Sequence, residues 1–144
     1  MRKEITINQS VDGVWKALTQ PDIMKKWYFN ISNFEAKKGK IYDFIVTITD
    51  EDGEQDFRHL FEILEAIPNK KLKHSWEYPG LRPGTSTLTW ELSQEGKETK
   101  IILKHEGIEN IADENSKYFS KESYNIGWDN ILNKLKQYLE NNNV

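Results

Sequence analysis

From about residue 31 the apolar side chains recur at every second position, and from residue 117 to residue 140 they recur every three or four. That change of period limits the folds open to the chain. A long sheet with one apolar face must bury it, and a single long amphipathic helix is available as cover. On that helix Tyr124, Trp128, Ile131, Leu132, Leu135, Tyr138 and Leu139 form one stripe, with Asp129, Asn133, Lys136 and Glu140 opposite. At 1.5 Å per residue it runs about 36 Å, enough to cross a small domain.

The earlier segments supply the sheet. Ile5 and Ile7 alternate in a first short strand, and Ser10 offers a helix N-cap ahead of Val11, Val14, Trp15 and Leu18. Pro21 suits the first turn of a second short helix carrying Ile23, Met24 and Trp27. Six runs with strand character follow, at residues 31–36, 40–49 and 56–67, then around Leu72 to Tyr78, Leu88 to Leu92, and Ile101 with Leu103. Turn signals at Gly39, Asp52-Gly53, Pro68-Asn69 and Glu95-Gly96 separate most of them, so the strands should form an antiparallel meander. The expected fold is α+β: a curved antiparallel sheet of six to seven strands wrapped around the C-terminal helix, with two short helices after the first strand. Long sheets coil, and large side chains on a coiled sheet need not mesh fully with a helix crossing it. A cavity is expected there.

Gly127 falls on the inward stripe of the long helix, where glycine costs about 1 kcal/mol relative to alanine. Either a strand backbone approaches closely at that point, or space is left beside Trp128 for something other than protein. Aromatic residues make up 12% of the chain, enough for a heavily aromatic core or an aromatic-lined pocket. The expected lining is Trp27, Tyr42, Phe44, Phe57, His59, Phe61, Trp76, Tyr78, Trp90, Tyr124, Gly127, Trp128 and Ile131. Tyr42, Tyr78 and His59 carry polar tips able to orient a ligand on apolar walls.

Several functions are disfavoured by what the sequence lacks. With no cysteine there is no thiolate zinc site, no disulfide and no cysteine nucleophile. His59, His74 and His105 show no paired-histidine spacing; His59 and His74 could face each other on adjacent strands, but a third ligand is wanting, so no metal is expected. His105 and Glu106 are strand neighbours that point to opposite faces and cannot act together. Arg58 and Glu62 share a face and read as a surface pair, while Asp43 should be solvated. No serine sits in a Gly-x-Ser-x-Gly elbow and no glycine loop cradles phosphate, which argues against covalent catalysis and leaves no cofactor expected. The net charge of −3, with lysines scattered in pairs, argues against a nucleic-acid partner. No apolar run nears the ~20 residues of a membrane span and residues 1–4 lack a signal-peptide core, so a cytoplasmic location is expected. No linker or repeat interrupts residues 1–144, which read as one domain.

Four stretches resemble the activator-of-heat-shock-protein-90-ATPase-homologue-like family: residues 11–28, 61–76, 86–107 and 125–140. The most specific marks are Trp15 and Trp27 in the two short helices, His105 and Gly107 after the last strand, and Gly127-Trp128 in the long helix. The resemblance implies a helix-grip fold of the START-like, birch-pollen-allergen-like superfamily (SRPBCC), with an apolar pocket. Leu60 stands near where the family often has glycine; it either narrows the pocket or faces outward. The superfamily hosts several activities, so three functions remain open. The first is non-catalytic binding of a small hydrophobic or amphipathic ligand, lipid-like or aromatic. The second is a chaperone-associated or stress-related module acting through the loop at residues 79–84 and the lysine-rich rims. Against it, residues 1–144 read as a single domain, whereas the resemblance implies an extra N-terminal domain in the eukaryotic co-chaperones. The third is a cyclase or hydrolase using His59 or Tyr42 as acid–base group.

Overall fold

The computed structural model describes residues 1–142. Its elements are β1 (Arg2–Ile7), α1 (Val11–Thr19), α2 (Pro21–Trp27), β2 (Ile41–Asp50), β3 (Gly53–Ile67), β4 (Lys71–Trp76), β5 (Ser86–Glu95), β6 (Glu98–Glu106), α3 (Ile108–Ile111) and α4 (Lys121–Asn141). Six strands form one antiparallel sheet in the order β1-β6-β5-β4-β3-β2. Strands β2 to β6 are a meander, and β1 closes its far edge by pairing with β6. The curled sheet holds α4 on its concave side, with α1 and α2 between β1 and β2. This is the helix-grip arrangement.

Local chemistry places the ends. The Ser10 hydroxyl accepts from Gly13 N–H at 3.2 Å to cap α1, and Pro21 occupies the first turn of α2. The β2–β3 turn closes with Asp50 opposite Gly53, whose φ of 104° falls in the region that favours glycine. Helix α4 begins later than its periodicity suggests. Residues 117–120 form a turn, and the Ser120 hydroxyl accepts from Ser123 N–H at 3.1 Å. Its inward stripe buries Tyr124, Trp128, Leu132, Leu135 and Leu139 against Leu88, Trp90, Ile101 and Leu103 of the sheet core.

Two expectations need correction. Residues 31–36 are not a strand: Ile31 and Phe34 are buried three apart instead of two, and Asn33 adopts a left-handed φ of 60°. The short helix α3 went unforeseen, being too brief to show a period. It explains the ornate loop before β5. Within residues 79–84, Arg82 donates to the carbonyls of Ile111 and Ala112, both at 2.9 Å, completing the end of α3. A Cβ at Gly84 would sit 2.3 Å from the Asn110 carbonyl oxygen, so the loop and α3 pack backbone to backbone (Gly84 φ 85°). Leu60 alternates with buried His59 and Phe61 and bridges to Glu77, so it faces outward.

Candidate functional site: an aromatic cleft beside the C-terminal helix

Trp76 divides the aromatic interior in two. At the end of β4 its ring lies 5.6 Å from Trp128 of α4, 5.2 Å from His59 of β3 and 6.0 Å from Phe44 of β2, in each case steeply inclined. On one side Trp27, Phe44, Phe61, His74 and Trp90 close around a cavity of about 20 Å³. That is room for about one water. On the other side His59, Tyr78, Tyr124, Gly127, Trp128 and Ile131 border a cleft of about 160 Å³ that reaches the surface.

The residues expected to line a single volume are therefore distributed over two. Trp27, Phe44, Phe61 and Trp90 belong to the closed side and Trp76 to both. Phe57 borders neither; its ring packs on Tyr118 and Phe119 at 4.9 and 5.7 Å. Tyr42 is also outside both, its hydroxyl accepting from Glu35 N–H at 2.8 Å and thereby pinning the segment mistaken for a strand. Phe29, Tyr118 and Ser123 border the cleft without having been anticipated. Phe29 follows α2 in an irregular segment, and Tyr118 and Ser123 flank the start of α4, so no period marked them.

Gly127 is open to the cleft. A Cβ built there meets no atom within 4 Å, which overturns close strand approach as the reason for the glycine. The rim above it is latched: Lys117 pairs with Asp50 at 2.9 Å and Asp52 at 2.8 Å, and the Tyr118 hydroxyl donates to Asp50. These contacts hold the β2–β3 turn against the entry to α4, and they draw the Asp50 carboxyl down to about 2, the Tyr118 bond foremost.

A buried relay fixes α4 to the sheet. Trp128 Nε1–H can only donate, and it reaches His105 Nδ1 at 3.0 Å. His105 is therefore protonated on Nε2, which donates to Ser86 Oγ at 2.7 Å, and Ser86 donates to the Trp76 carbonyl at 3.2 Å. Burial lowers the His105 pKa to about 3, which keeps the neutral ring this relay requires. His105 thus serves architecture. Its partner Ser86 carried no sequence signal.

The polar groups of the cleft are neutral too. His59 donates from Nδ1 to the Phe57 carbonyl at 2.9 Å, and burial lowers its pKa to about 4. Tyr78 Oη accepts from Trp76 Nε1–H at 2.8 Å. The Tyr124 hydroxyl is buried beside that of Tyr78, and on the closed side the Tyr28 hydroxyl is buried with no hydrogen-bond partner; desolvation raises the pKa of both Tyr124 and Tyr28. His74 lies opposite Ile63, four residues along β3 from His59, and does not face His59. Among the described residues no three His, Cys, Asp or Glu side chains converge as a metal site, and no helix is long and apolar enough to cross a membrane. Arg58 pairs with Asp43 at 3.1 Å across β2 and β3 instead of with Glu62, and Asp43 is half exposed.

Fold and cleft together define a helix-grip protein with an aromatic recess under its long helix. The family model described as Activator of Hsp90 ATPase homolog 1-like protein matches residues 8–140, and the chain belongs to that family. No curated protein matches the chain. Among solved structures, it is similar to protein MLL2253 from Mesorhizobium loti at 21% identity and a TM-score of 0.71, over 100% of both chains. It is similar to CalU16 from Micromonospora echinospora at 22% identity and 0.71, over 96% of this chain and 74% of that one. The Aha1 dimer from Colwellia psychrerythraea shares 24% identity at a TM-score of 0.66, over 97% of this chain and 95% of that one. These likenesses concern the fold.

Proposed function

We propose that the protein binds, without transforming it, a small apolar or amphipathic molecule in the cleft between the sheet and α4. The observation that carries this is Gly127. At an inward position of α4, where the stripe calls for a large side chain, a glycine leaves open space between Trp128, Tyr124 and the β3–β4 face. An apolar cavity of about 150 Å³ holds a benzene ring, whereas drug-sized ligands occupy about 300–1,000 Å³. A cleft of about 160 Å³ therefore suits one ring or the end of one chain, which narrows the lipid-like alternative to a chain terminus. The loop at residues 79–84, the other candidate interaction feature, has Arg82 occupied in finishing α3.

Native mass spectrometry of the purified protein, with thermal shifts against single-ring and short-chain compounds, tests the proposal. A ligand that binds only the folded state raises the melting temperature. The expected result is a rise that Gly127→Leu abolishes, because the leucine fills the recess. A rise undiminished in Gly127→Leu would place binding elsewhere, and no rise with any compound would refute the proposal.

A further inference from the structure

We propose that β2, at the open edge of the sheet, pairs antiparallel with β2 of a second copy of this chain, joining two curled sheets in a closed dimer.

The two edges of the sheet are built differently. Strand β1 is six residues long and carries Arg2, Lys3 and Glu4. Side chains of α4 lie along it: Asp129 pairs with Lys3 at 2.9 Å, and Lys136 donates to the Thr6 carbonyl at 3.0 Å. Short length, charge and cover are the devices that keep an edge from pairing. Strand β2 has none of them. It is ten residues long, without lysine, arginine or proline, and its one mid-strand charge, Asp43, is paired with Arg58 at 3.1 Å. Ile41 and Ile45 are each 61% exposed and Ile48 is 36% exposed. Among the described residues no other element carries more than one exposed large apolar side chain.

The backbone of that edge is free as well. On β3, Leu60 N–H donates to the Glu77 carbonyl and Glu62 N–H to the Ser75 hydroxyl, both on the β4 side. Their partners on β2, Asp43 and Ile41, therefore turn their own N–H and C=O groups away from β3. The register runs unbroken along β2, so Ile45, Thr47 and Thr49 do the same. None of these five has another backbone partner among the described residues.

The strand's own sequence names the occupant. Laid antiparallel on itself over its full length, β2 sets Ile45 against Ile45 of the second copy. On that face Asp43 meets Thr47 and Ile41 meets Thr49; on the other face Phe44 meets Val46 and Tyr42 meets Ile48. Lys40 falls opposite Asp50 at each end, and no like charges oppose one another. Apolar and opposite-charge pairs of this kind stabilise a ladder. All five outward residues exchange backbone bonds in the same register. The contact uses one edge of each copy, and the guarded β1 edge offers no second site, so assembly closes at two.

The test combines analytical ultracentrifugation, from micromolar to millimolar protein, with amide hydrogen exchange. The mass should rise from that of the 17.0 kDa chain to twice that value. In the dimer the amides of Ile41, Asp43, Ile45, Thr47 and Thr49 should be protected. Ile45→Lys opposes two lysines across the two-fold axis and should hold the protein monomeric. In dilute solution that variant should melt with the parent protein, because the side chain it replaces is exposed. If it melts lower, the amide pattern of the parent protein decides alone. A parent protein still monomeric at millimolar concentration overturns the inference. So does a dimer that survives Ile45→Lys, a dimer whose five amides exchange freely, or growth beyond two copies.

Discussion

The two sides of Trp76 are built from the same kinds of residue and end in opposite states. On the Trp27–Trp90 side, edge-to-face rings and the His74 imidazole fill the space almost to the last water, leaving about 20 Å³. On the Tyr78–Tyr124 side a comparable set leaves about 160 Å³. Aromatic content therefore does not distinguish a pocket from a core. What differs is the presence of one residue with no side chain, Gly127; a buried hydroxyl without a firm partner occurs on both sides, Tyr28 on the closed one and Tyr124 on the open one. A missing side chain at an inward helix position is the physical mark of a place where something else belongs.

Acid should collapse that contrast with the largest effect. His59 borders the open side, His74 the closed side, and His105 the seam, with pKa values lowered by burial to about 4, 4 and 3. The unfolded chain binds these protons near pH 6.5 and the folded chain only well below it, so stability is complete above about pH 6.5 and declines as pH falls toward 4. Each histidine contributes about 1.4 kcal/mol per pH unit within that window. Together they suffice to unfold a domain of ordinary stability. Urea unfolding at stepped pH checks this, and His74→Asn should reduce the slope. A pH-independent midpoint between 6.5 and 4 would show that the histidines are solvated.

Next in size is the closed side. Trp90 is 2% exposed, and Trp90→Ala should cost about 3–5 kcal/mol by denaturant unfolding, because the surrounding rings cannot collapse onto the gap. A loss well under 1 kcal/mol would mean this side is as loosely filled as the other.

On the open side the sign reverses. Gly127→Ala adds a methyl to empty space and removes the glycine penalty, so it should stabilise the protein by up to about 1 kcal/mol. Destabilisation would mean that the backbone is packed closely after all. The smallest effect belongs to the rim. Lys117→Ala breaks two exposed pairs and should leave the melting temperature almost unchanged, while ligand exchange at the cleft quickens.

Much of this was legible beforehand. Alternation of Phe57, His59, Phe61 and Ile63 marks β3, and the stripe from Tyr124 to Leu139 marks α4, because both periods follow from backbone geometry. Residues 31–36 misled because Ile31 and Phe34 are anchored by tertiary packing and the Tyr42 hydroxyl, not by a strand ladder. The site was half legible. Its residues could be listed, but their partition by Trp76 depends on ring orientation, and the Trp128–His105–Ser86 relay joins positions far apart in sequence with no shared motif.

The most direct measurement is a crystal structure of the protein saturated with ethylbenzene. This account predicts density for one ring beside Gly127, between Trp128 and Tyr78, with the space behind Trp76 unchanged. Density on the Trp27–Trp90 side, or a cleft filled by its own side chains with no ligand bound, would contradict it.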